Sequence, residues 1–174
     1  MLTPQPNDYA IITGATDGIG LEFAKQLAQR GYNLLLLSRR QEKLTSVAEQ
    51  IAHQTIHPIE IDFLAVDFSR TDIYELIERK LDTLKGTIRI LVNNVGVSHS
   101  SPEYFTEYPK GFHQQLINVN IVSLTSMSEM VLRIMCQNRK VKGQRSPRGI
   151  VINVSSLAGA YGGAPLMSTY SACK

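Results

Sequence analysis

The sequence predicts an α/β fold, with a doubly wound parallel sheet of about five strands in the order 3-2-1-4-5 and helices on both faces. Five apolar runs of strand length alternate with four longer segments of helical periodicity. This alternation is typical of parallel sheets, and the right-handed crossover rule leaves few strand orders. Because no internal repeat or linker interrupts the pattern, residues 1–174 are predicted to form a single domain.

The predicted elements follow from apolar spacing and from the residues that bound each run. Strands are expected at residues 9–13, 33–38, 59–67, 88–94 and 149–156. Helices are expected at residues 19–31, 41–52, about 71–84 and about 112–138, and a last segment begins near Pro165. In the first helix Ala24 and Leu27 fall on one face, and Gly31 is suited to end it.

Composition favours an ordinary globular protein and excludes a disordered one. Hydrophobic residues make up 43% of the chain and charged residues 19%. The two cysteines, Cys136 and Cys173, predict neither a disulfide framework nor a metal site, and they favour a reducing compartment. No window reaches the roughly 18 apolar residues of a membrane helix, and the N-terminus lacks the layout of a signal peptide. The chain by itself therefore suggests a cytoplasmic location.

Basic residues are concentrated in one stretch, RKVKGQRSPR, at Arg139–Arg148. A run of this kind is typical of a solvated loop, and a site for an anionic partner is the alternative. The formal net charge of +3 is mild. We therefore predict no nucleic-acid partner.

A glycine-rich stretch, TGATDGIG, follows the first predicted strand and opens the first helix. Glycines suit this place because the backbone must turn sharply and approach a pyrophosphate closely, while the helix N-terminus supplies hydrogen-bond donors. The stretch therefore predicts a Rossmann-type dinucleotide site. Its candidate cofactor-binding residues are Gly14, Thr16, Asp17, Gly18, Ile19 and Gly20.

The end of the second predicted strand favours NADP(H) over NAD(H). An acidic residue there would bind the free 2′-hydroxyl of NAD, whereas basic residues would accept the 2′-phosphate of NADP. The sequence has Ser38, Arg39 and Arg40 at this place and no acid before Glu42. Arg39 is the preferred phosphate ligand and Arg40 the second choice; the alternative is that both arginines are simply solvated.

The chain ends on STYSACK, in which Tyr170 and Lys174 stand four residues apart and so share one face of a helix. Reduction of a carbonyl creates an alkoxide, which needs a hydrogen-bond donor and an acid. A phenol beside an ammonium fits that acid, because the ammonium stabilises the phenolate. An ordinary aromatic residue beside a surface lysine is the alternative for the isolated pair.

Four motifs occur in order along the chain: TGATDGIG, LVNNVG, INVSS and YSACK. Together they resemble the front part of the short-chain dehydrogenase/reductase family. The connecting stretches AVDFSR and PEYF are most similar to the branch of very-long-chain 3-oxoacyl-CoA reductases and 17-beta-hydroxysteroid dehydrogenases. The resemblance implies NADPH-dependent reduction of a ketone, most plausibly 3-oxoacyl-CoA in fatty-acid elongation, at the endoplasmic reticulum.

The resemblance also implies roles for cofactor-binding residues beyond the glycine loop. Asp67 would bind the adenine amino group, with Phe68 beside it. Asn94 would lie against the cofactor, and Gly96 would let the backbone approach it. Lys174 would bind the nicotinamide ribose, close to Tyr170.

The implied catalytic residues are Asn120, Ser156, Tyr170 and Lys174. Asn120 would anchor a proton-relay water, Ser156 would polarise the substrate carbonyl, and Tyr170 would donate the proton. Asn118 competes with Asn120 for its role. The spacing from Ser156 to Tyr170 is one residue longer than the family usually has, so Ser155 also remains a candidate.

Family members continue beyond the position of Lys174, and the branch usually carries membrane segments. We therefore expect this chain to be a fragment of a reductase that acts on an acyl-CoA or another lipid. A steroid or retinoid dehydrogenase with the same site is one alternative, and a truncated protein that binds nucleotide or a partner without catalysis is another. The resemblance further implies a homodimer, and it suggests membrane contact only by analogy.

Overall fold

The structure, a computed structural model, describes residues 3–141, 149–161 and 163–174, and the side chains of these except residues 138–141. The basic run predicted at Arg139–Arg148 therefore lies outside the residues whose side chains are described.

Five parallel strands form the sheet in the order β3-β2-β1-β4-β5, which confirms the predicted fold. The strands are β1 Asp8–Thr13, β2 Asn33–Ser38, β3 Ile61–Ala65, β4 Thr87–Asn93 and β5 Ile150–Asn153. The third and fifth strands are shorter than predicted. β3 gives way to a turn in which Asp67 Oδ1 accepts from the N–H of Ser69, and Ser156 begins a helix.

The helices lie where the sequence predicts them, including α7 in the last segment expected from near Pro165, and one short helix, α6, was not predicted. They are α1 Gly18–Gln29, α2 Gln41–Gln54, α3 Tyr74–Asp82, α4 Phe112–Ile117, α5 Ser123–Val141, α6 Leu157–Ala160 and α7 Ser168–Cys173. A π-helical turn, Asn118–Val122, joins α4 to α5, so the long helix predicted there is continuous. Turns of this type are often found at functional sites.

Both ends of α1 have ordinary helix-end signals, of which only Gly31 was predicted. The side chain of Asp17 accepts a hydrogen bond from the N–H of Gly18 and caps the first turn. Gly31 follows the helix with a φ of +87°, a left-handed conformation that favours glycine. Its N–H donates to the carbonyl of Ala28 at 2.9 Å, so the helix ends there.

Alternate residues of the central strands face two separate cores. Ala10 and Ile12 point toward α1 and α2, whereas Ile11 and Leu35 point toward α3 and α5. Since both faces are covered by helices, the strands are apolar throughout.

By length and composition, the helix Phe112–Gln137 could cross a membrane. The sequence predicts no such helix, because no unbroken apolar run in it is long enough. Its residues Val119, Met127 and Val131 are buried against the sheet. Helices in protein cores can have the same length and apolar composition, and the packing of this helix against the sheet accounts for its apolar face.

Replacement of Leu35 by alanine tests the two-sided core. Leu35 is fully buried on β2, and we expect Leu35→Ala to lower the free energy of unfolding by about 2–5 kcal/mol in urea denaturation. Leu76→Ala is the matched control, because Leu76 on α3 is 42% exposed. We expect the control to change the free energy of unfolding by less than about 0.5 kcal/mol. Equal losses in the two variants would contradict this packing.

Candidate cofactor and active site

The predicted site residues lie at the carboxyl ends of the strands. All five strands are parallel, so these ends meet at one edge of the sheet. The loops that follow β1, β2, β3 and β4 carry the predicted cofactor-binding residues, and the segment after β5 carries Ser156, Tyr170 and Lys174. Ligands of open α/β sheets bind at this edge.

The glycine-rich stretch leaves no room for side chains at Gly14, in the loop after β1, and at Gly20, in the first turn of α1. A Cβ atom on Gly20 would lie 2.4 Å from the carbonyl oxygen of Gly14, and one on Gly14 would lie 2.8 Å from Asn94 Nδ2. Gly14 and Gly18 also adopt left-handed backbone conformations, with φ of +64° and +50°. The loop is thus a tight turn with its backbone exposed toward the N-terminus of α1.

Hydrogen bonds between Thr13 and Asn94 fasten this loop to the end of β4. Thr13 Oγ1 accepts from the N–H groups of Asn94 and Val95 at 2.9 and 3.0 Å. In return, Asn94 Nδ2 donates to the carbonyls of Thr13 and Gly14 at 3.0 and 3.2 Å. Asn94 therefore holds the glycine loop; its predicted contact with a cofactor stays a prediction.

The other polar residues of the loop face β2 and α2. The Thr16 and Ser38 hydroxyls are hydrogen-bonded at 2.8 Å, which links the loop to the end of β2. Lys43 lies 3.9 Å from the exposed carboxylate of Asp17. Ile19 is 58% exposed beside them, which leaves its apolar side chain free for a ligand.

A cleft of about 150 Å³, open to solvent, lies between the ends of β2, β3 and β4. Its lining includes Ser38, Arg39, Asp67, Phe68 and Val97. Phe68 is also packed in the core, where it is 3% exposed. The cleft joins the predicted adenine residues to the predicted 2′-phosphate residue.

Asp67 is ionised at this cleft. Burial raises its pKa, but hydrogen bonds from Ser69 and the positive charges of Arg39 and Arg70 outweigh burial and hold the pKa below its usual value. The charge of Arg39 therefore acts on Asp67. Both arginine side chains are exposed, but Arg39 lines the cleft, whereas Arg40 occupies the position before the first turn of α2 and is not among the lining residues.

Lys174 reaches back to the end of β4 and meets Asn120 there. A Cβ atom on Gly96 would lie 2.8 Å from Lys174 Nζ and 3.0 Å from Asn120 Oδ1, so the missing side chain makes room for both groups. Lys174 Nζ also donates to the carbonyl of Val154 in a long bond of 3.5 Å. Burial lowers the pKa of Lys174.

The π-helical turn aims Asn120 and Asn118 at different places. Asn120 is buried, and its Nδ2 donates to the carbonyls of Val97 and Leu116 at 2.9 and 3.0 Å. Asn118 Nδ2 instead donates to the carbonyl of Ser69 at 2.8 Å, near the adenine cleft. The structure thus brings Asn120, and not Asn118, to Lys174.

The two serines after β5 also differ. Ser155 Oγ donates to the carbonyl of Lys174 at 2.6 Å. Ser156 Oγ accepts from the N–H of Ala158 at 3.2 Å and caps α6. Accepting that bond leaves the Ser156 proton available to a ligand, so the geometry favours Ser156 over Ser155 as a donor.

Contacts from Tyr108, in the loop before α4, and from His113, in α4, hold the segment that carries Tyr170. The hydroxyl of Tyr108 donates to the carbonyl of Leu166 at 3.0 Å, and Thr169 Oγ1 is hydrogen-bonded to His113 Nδ1 at 2.9 Å. These long-range contacts were not predicted. Nothing in the local sequence pattern distinguishes them from surface loop residues.

His99 is a further site residue that the sequence analysis missed. Its ring lies edge-on to that of Tyr170, with centroids 6.4 Å apart. Both ring nitrogens are buried without a hydrogen-bond partner among the described residues. A buried polar group left in this way costs about 1–3 kcal/mol, so it calls for an explanation.

Comparison with known proteins identifies the family and several relatives. Residues 8–174 match the model of the short chain dehydrogenase family. The whole chain is 41% identical to half (51%) of very-long-chain 3-oxoacyl-CoA reductase-A of Danio rerio. A similar match, 42% identical, covers 99% of the chain and 52% of the very-long-chain 3-oxoacyl-CoA reductase of Anas platyrhynchos. The chain therefore spans about half the length of these curated relatives.

Among solved structures, the fold is similar to a short-chain dehydrogenase from Sphingobium yanoikuyae in complex with NADPH. The TM-score is 0.79 and the identity 27%, over 96% of this chain and 60% of that one.

Alanine at Gly20 tests the tight contact within the glycine loop. We expect Gly20→Ala to lower the free energy of unfolding by about 3 kcal/mol, because the new methyl group would displace the Gly14 carbonyl or Asn94. Gly18→Ala is the control, since a Cβ atom there meets nothing within 4 Å and only the left-handed conformation is strained. That strain costs about 1 kcal/mol. Urea denaturation that gives equal losses for the two variants would contradict the described loop.

Proposed function

The chain belongs to the short-chain dehydrogenase family, and on that premise we propose that its protein reduces a ketone to a secondary alcohol with NADPH. The proposal rests on one observation. Lys174 Nζ and the amide oxygen of Asn120 both lie against Gly96, next to the helix that carries Tyr170. The favoured substrate is a very-long-chain 3-oxoacyl-CoA, as the names of the relatives suggest.

The residues at the sheet edge fit a dinucleotide. Gly14 and Gly20 let the loop pack closely against Asn94, whereas a Cβ atom at Gly18 would meet nothing within 4 Å, so there is open space for a pyrophosphate next to the N-terminus of α1. In the cleft, Asp67 would accept from the adenine amino group and Arg39 would pair with the 2′-phosphate. NADPH bound there supplies the hydride for reduction.

The remaining chemistry belongs to side chains of this chain. When the substrate ketone becomes an alkoxide, its oxygen needs donors and then a proton. The proposal assigns a hydrogen bond to Ser156 and the proton to the phenol of Tyr170. The nearby Lys174 ammonium stabilises the resulting phenolate through its charge.

Burial makes the Lys174 ammonium costly, and its surroundings offset that cost. The carbonyl of Val154 accepts from Nζ, and the amide oxygen of Asn120 lies on the same side of Gly96. In this proposal Asn120 keeps Lys174 oriented, and its hydrogen bonds to the loop at Val97 fix its own position. Without the Val154 carbonyl or the Asn120 amide oxygen, the buried Lys174 ammonium would lack a polar neighbour that offsets its desolvation.

The resemblance to the reductase branch supports three further parts of the proposal. These are an acyl-CoA or other lipid as substrate, a location at the endoplasmic reticulum, and a homodimer. A steroid dehydrogenase would use the same residues, so a comparison of 3-oxoacyl and steroid ketone substrates separates the two activities.

Removal of the Tyr170 hydroxyl tests the proton donor. In the protein made from the complete native transcript, we expect Tyr170→Phe to lower kcat for ketone reduction by at least about 100-fold, because no acid remains at the alkoxide. NADPH affinity, measured by fluorescence titration, should change less than about threefold, since the ring and Lys174 remain. Tyr161→Phe is the matched control, because Tyr161 is 81% exposed. Full turnover by Tyr170→Phe would exclude this role.

Cofactor choice tests Arg39. We expect Arg39→Ala to weaken NADPH binding by about 10- to 100-fold through loss of a charge-assisted hydrogen bond, while NADH binding changes less than about twofold. Arg40→Ala removes the same charge outside the cleft and should leave both affinities nearly unchanged. Equal losses for the two cofactors in Arg39→Ala would mean that the 2′-phosphate is bound elsewhere.

A further inference from the structure

His99 lies on the loop that follows β4, inside a cluster of aromatic rings. Its ring centroid is 4.7 Å from that of Tyr108, 5.2 Å from that of Phe112 and 6.4 Å from that of Tyr170. Tyr108 and Phe112 are themselves stacked at 4.6 Å. Because Tyr108 is also bonded to the carbonyl of Leu166, this wall is tied to the segment that carries Tyr170.

The neighbouring His113 shows what a structural histidine looks like in the same wall. Its Nε2 is hydrogen-bonded to the carbonyl of Phe105 at 3.0 Å, and its Nδ1 to Thr169 Oγ1 at 2.9 Å. Neither nitrogen of His99 has a partner among the described residues, although both are shielded from solvent. Packing alone would be served equally well by a phenyl ring, so the polar atoms of His99 call for a ligand.

His99 presents its ring in the neutral form. Burial, and then the nearby His113, lower its pKa. A neutral imidazole carries one N–H donor and one acceptor nitrogen. It can therefore donate to a carbonyl oxygen without taking the proton-donor role assigned to Tyr170.

We propose that the His99 ring turns toward the substrate and determines substrate specificity by donating a hydrogen bond to the thioester carbonyl of a 3-oxoacyl substrate. This inference rests on the proposed function, which places the 3-keto oxygen at Tyr170. In a 3-oxoacyl thioester one methylene group separates the two carbonyl groups, so a second donor is needed beside Tyr170, where His99 lies. A simple ketone has no second oxygen for it.

His99 acts in this proposal as a specificity residue and does not protonate the alkoxide. A site built to hydrogen-bond a substrate group discriminates strongly against the analogue that lacks it, because the buried donor then stays unpaired. The hydrogen bond should therefore favour 3-oxoacyl thioesters over simple ketones of the same chain length.

Two substrates with the same ketone and alkyl chain, of which only one carries a thioester carbonyl, test this role. They are the N-acetylcysteamine thioester of 3-oxooctanoate and octan-3-one, reduced with NADPH by the protein from the complete native transcript. We expect His99→Phe to lower kcat/KM for the thioester by about tenfold, mainly through KM, and to change that for octan-3-one by less than about twofold. His99→Gln, which restores an N–H donor, should recover most of the loss.

His113→Phe is the matched control, since it alters the same aromatic wall at a histidine whose nitrogens are already paired. It should change kcat/KM for both substrates by the same factor. The proposal is overturned if His99→Phe also affects both substrates equally, or if His113→Phe produces the same loss of selectivity.

Failure of the proposed function gives a different result. If the unaltered protein reduces neither substrate, the reductase activity is wrong and His99 is then tested by binding alone. Calorimetry with the N-acetylcysteamine thioester of 3-hydroxyoctanoate should show about tenfold weaker binding for His99→Phe than for the unaltered protein. Equal affinities, or no binding to the unaltered protein, would overturn the inference about His99.

Discussion

The hydrogen bonds between Thr13 and Asn94 are the constraint on which the candidate site depends. They join β1 to β4 at the carboxyl edge, where Thr13 Oγ1 receives two backbone N–H groups and the Asn94 amide donates to two backbone carbonyls. Each partner thereby satisfies groups that a sharp turn would leave unpaired. This reciprocal contact sets the glycine loop and the start of the next loop in one fixed relation.

The residues that follow Asn94 contact Lys174 and Asn120. Gly96 lies two residues after Asn94 and leaves space for Lys174, while the Val97 backbone is bonded to Asn120. The π-helical turn in the long helix brings Asn120 to this point, and its burial makes those bonds costly to lose. The glycine loop and Asn120 are therefore connected through hydrogen bonds to residues 94–97.

The sequence predicts the strand order because strands and helices alternate along the chain and the right-handed crossover rule then leaves few orders. It predicts the glycine loop because that loop depends on the conformational needs of residues such as Gly14. It predicts strand ends less well. Hydrogen bonds at Asp67 and the cap at Ser156 end β3 and β5 early, and these depend on geometry that periodicity does not record. The turn at Asn118–Val122 and the surroundings of His99 arise from contacts between distant segments, which no local pattern predicts.

Hydrogen–deuterium exchange with and without NADPH tests most directly whether the glycine loop and the β4 end act as one cofactor site. We expect slower amide exchange at residues 14–20 and 94–97 together when NADPH is bound. Exchange at residues 55–60, at the amino ends of the strands, should stay unchanged. Protection of only one of the two segments, or equal protection at residues 55–60, would contradict a shared cofactor site.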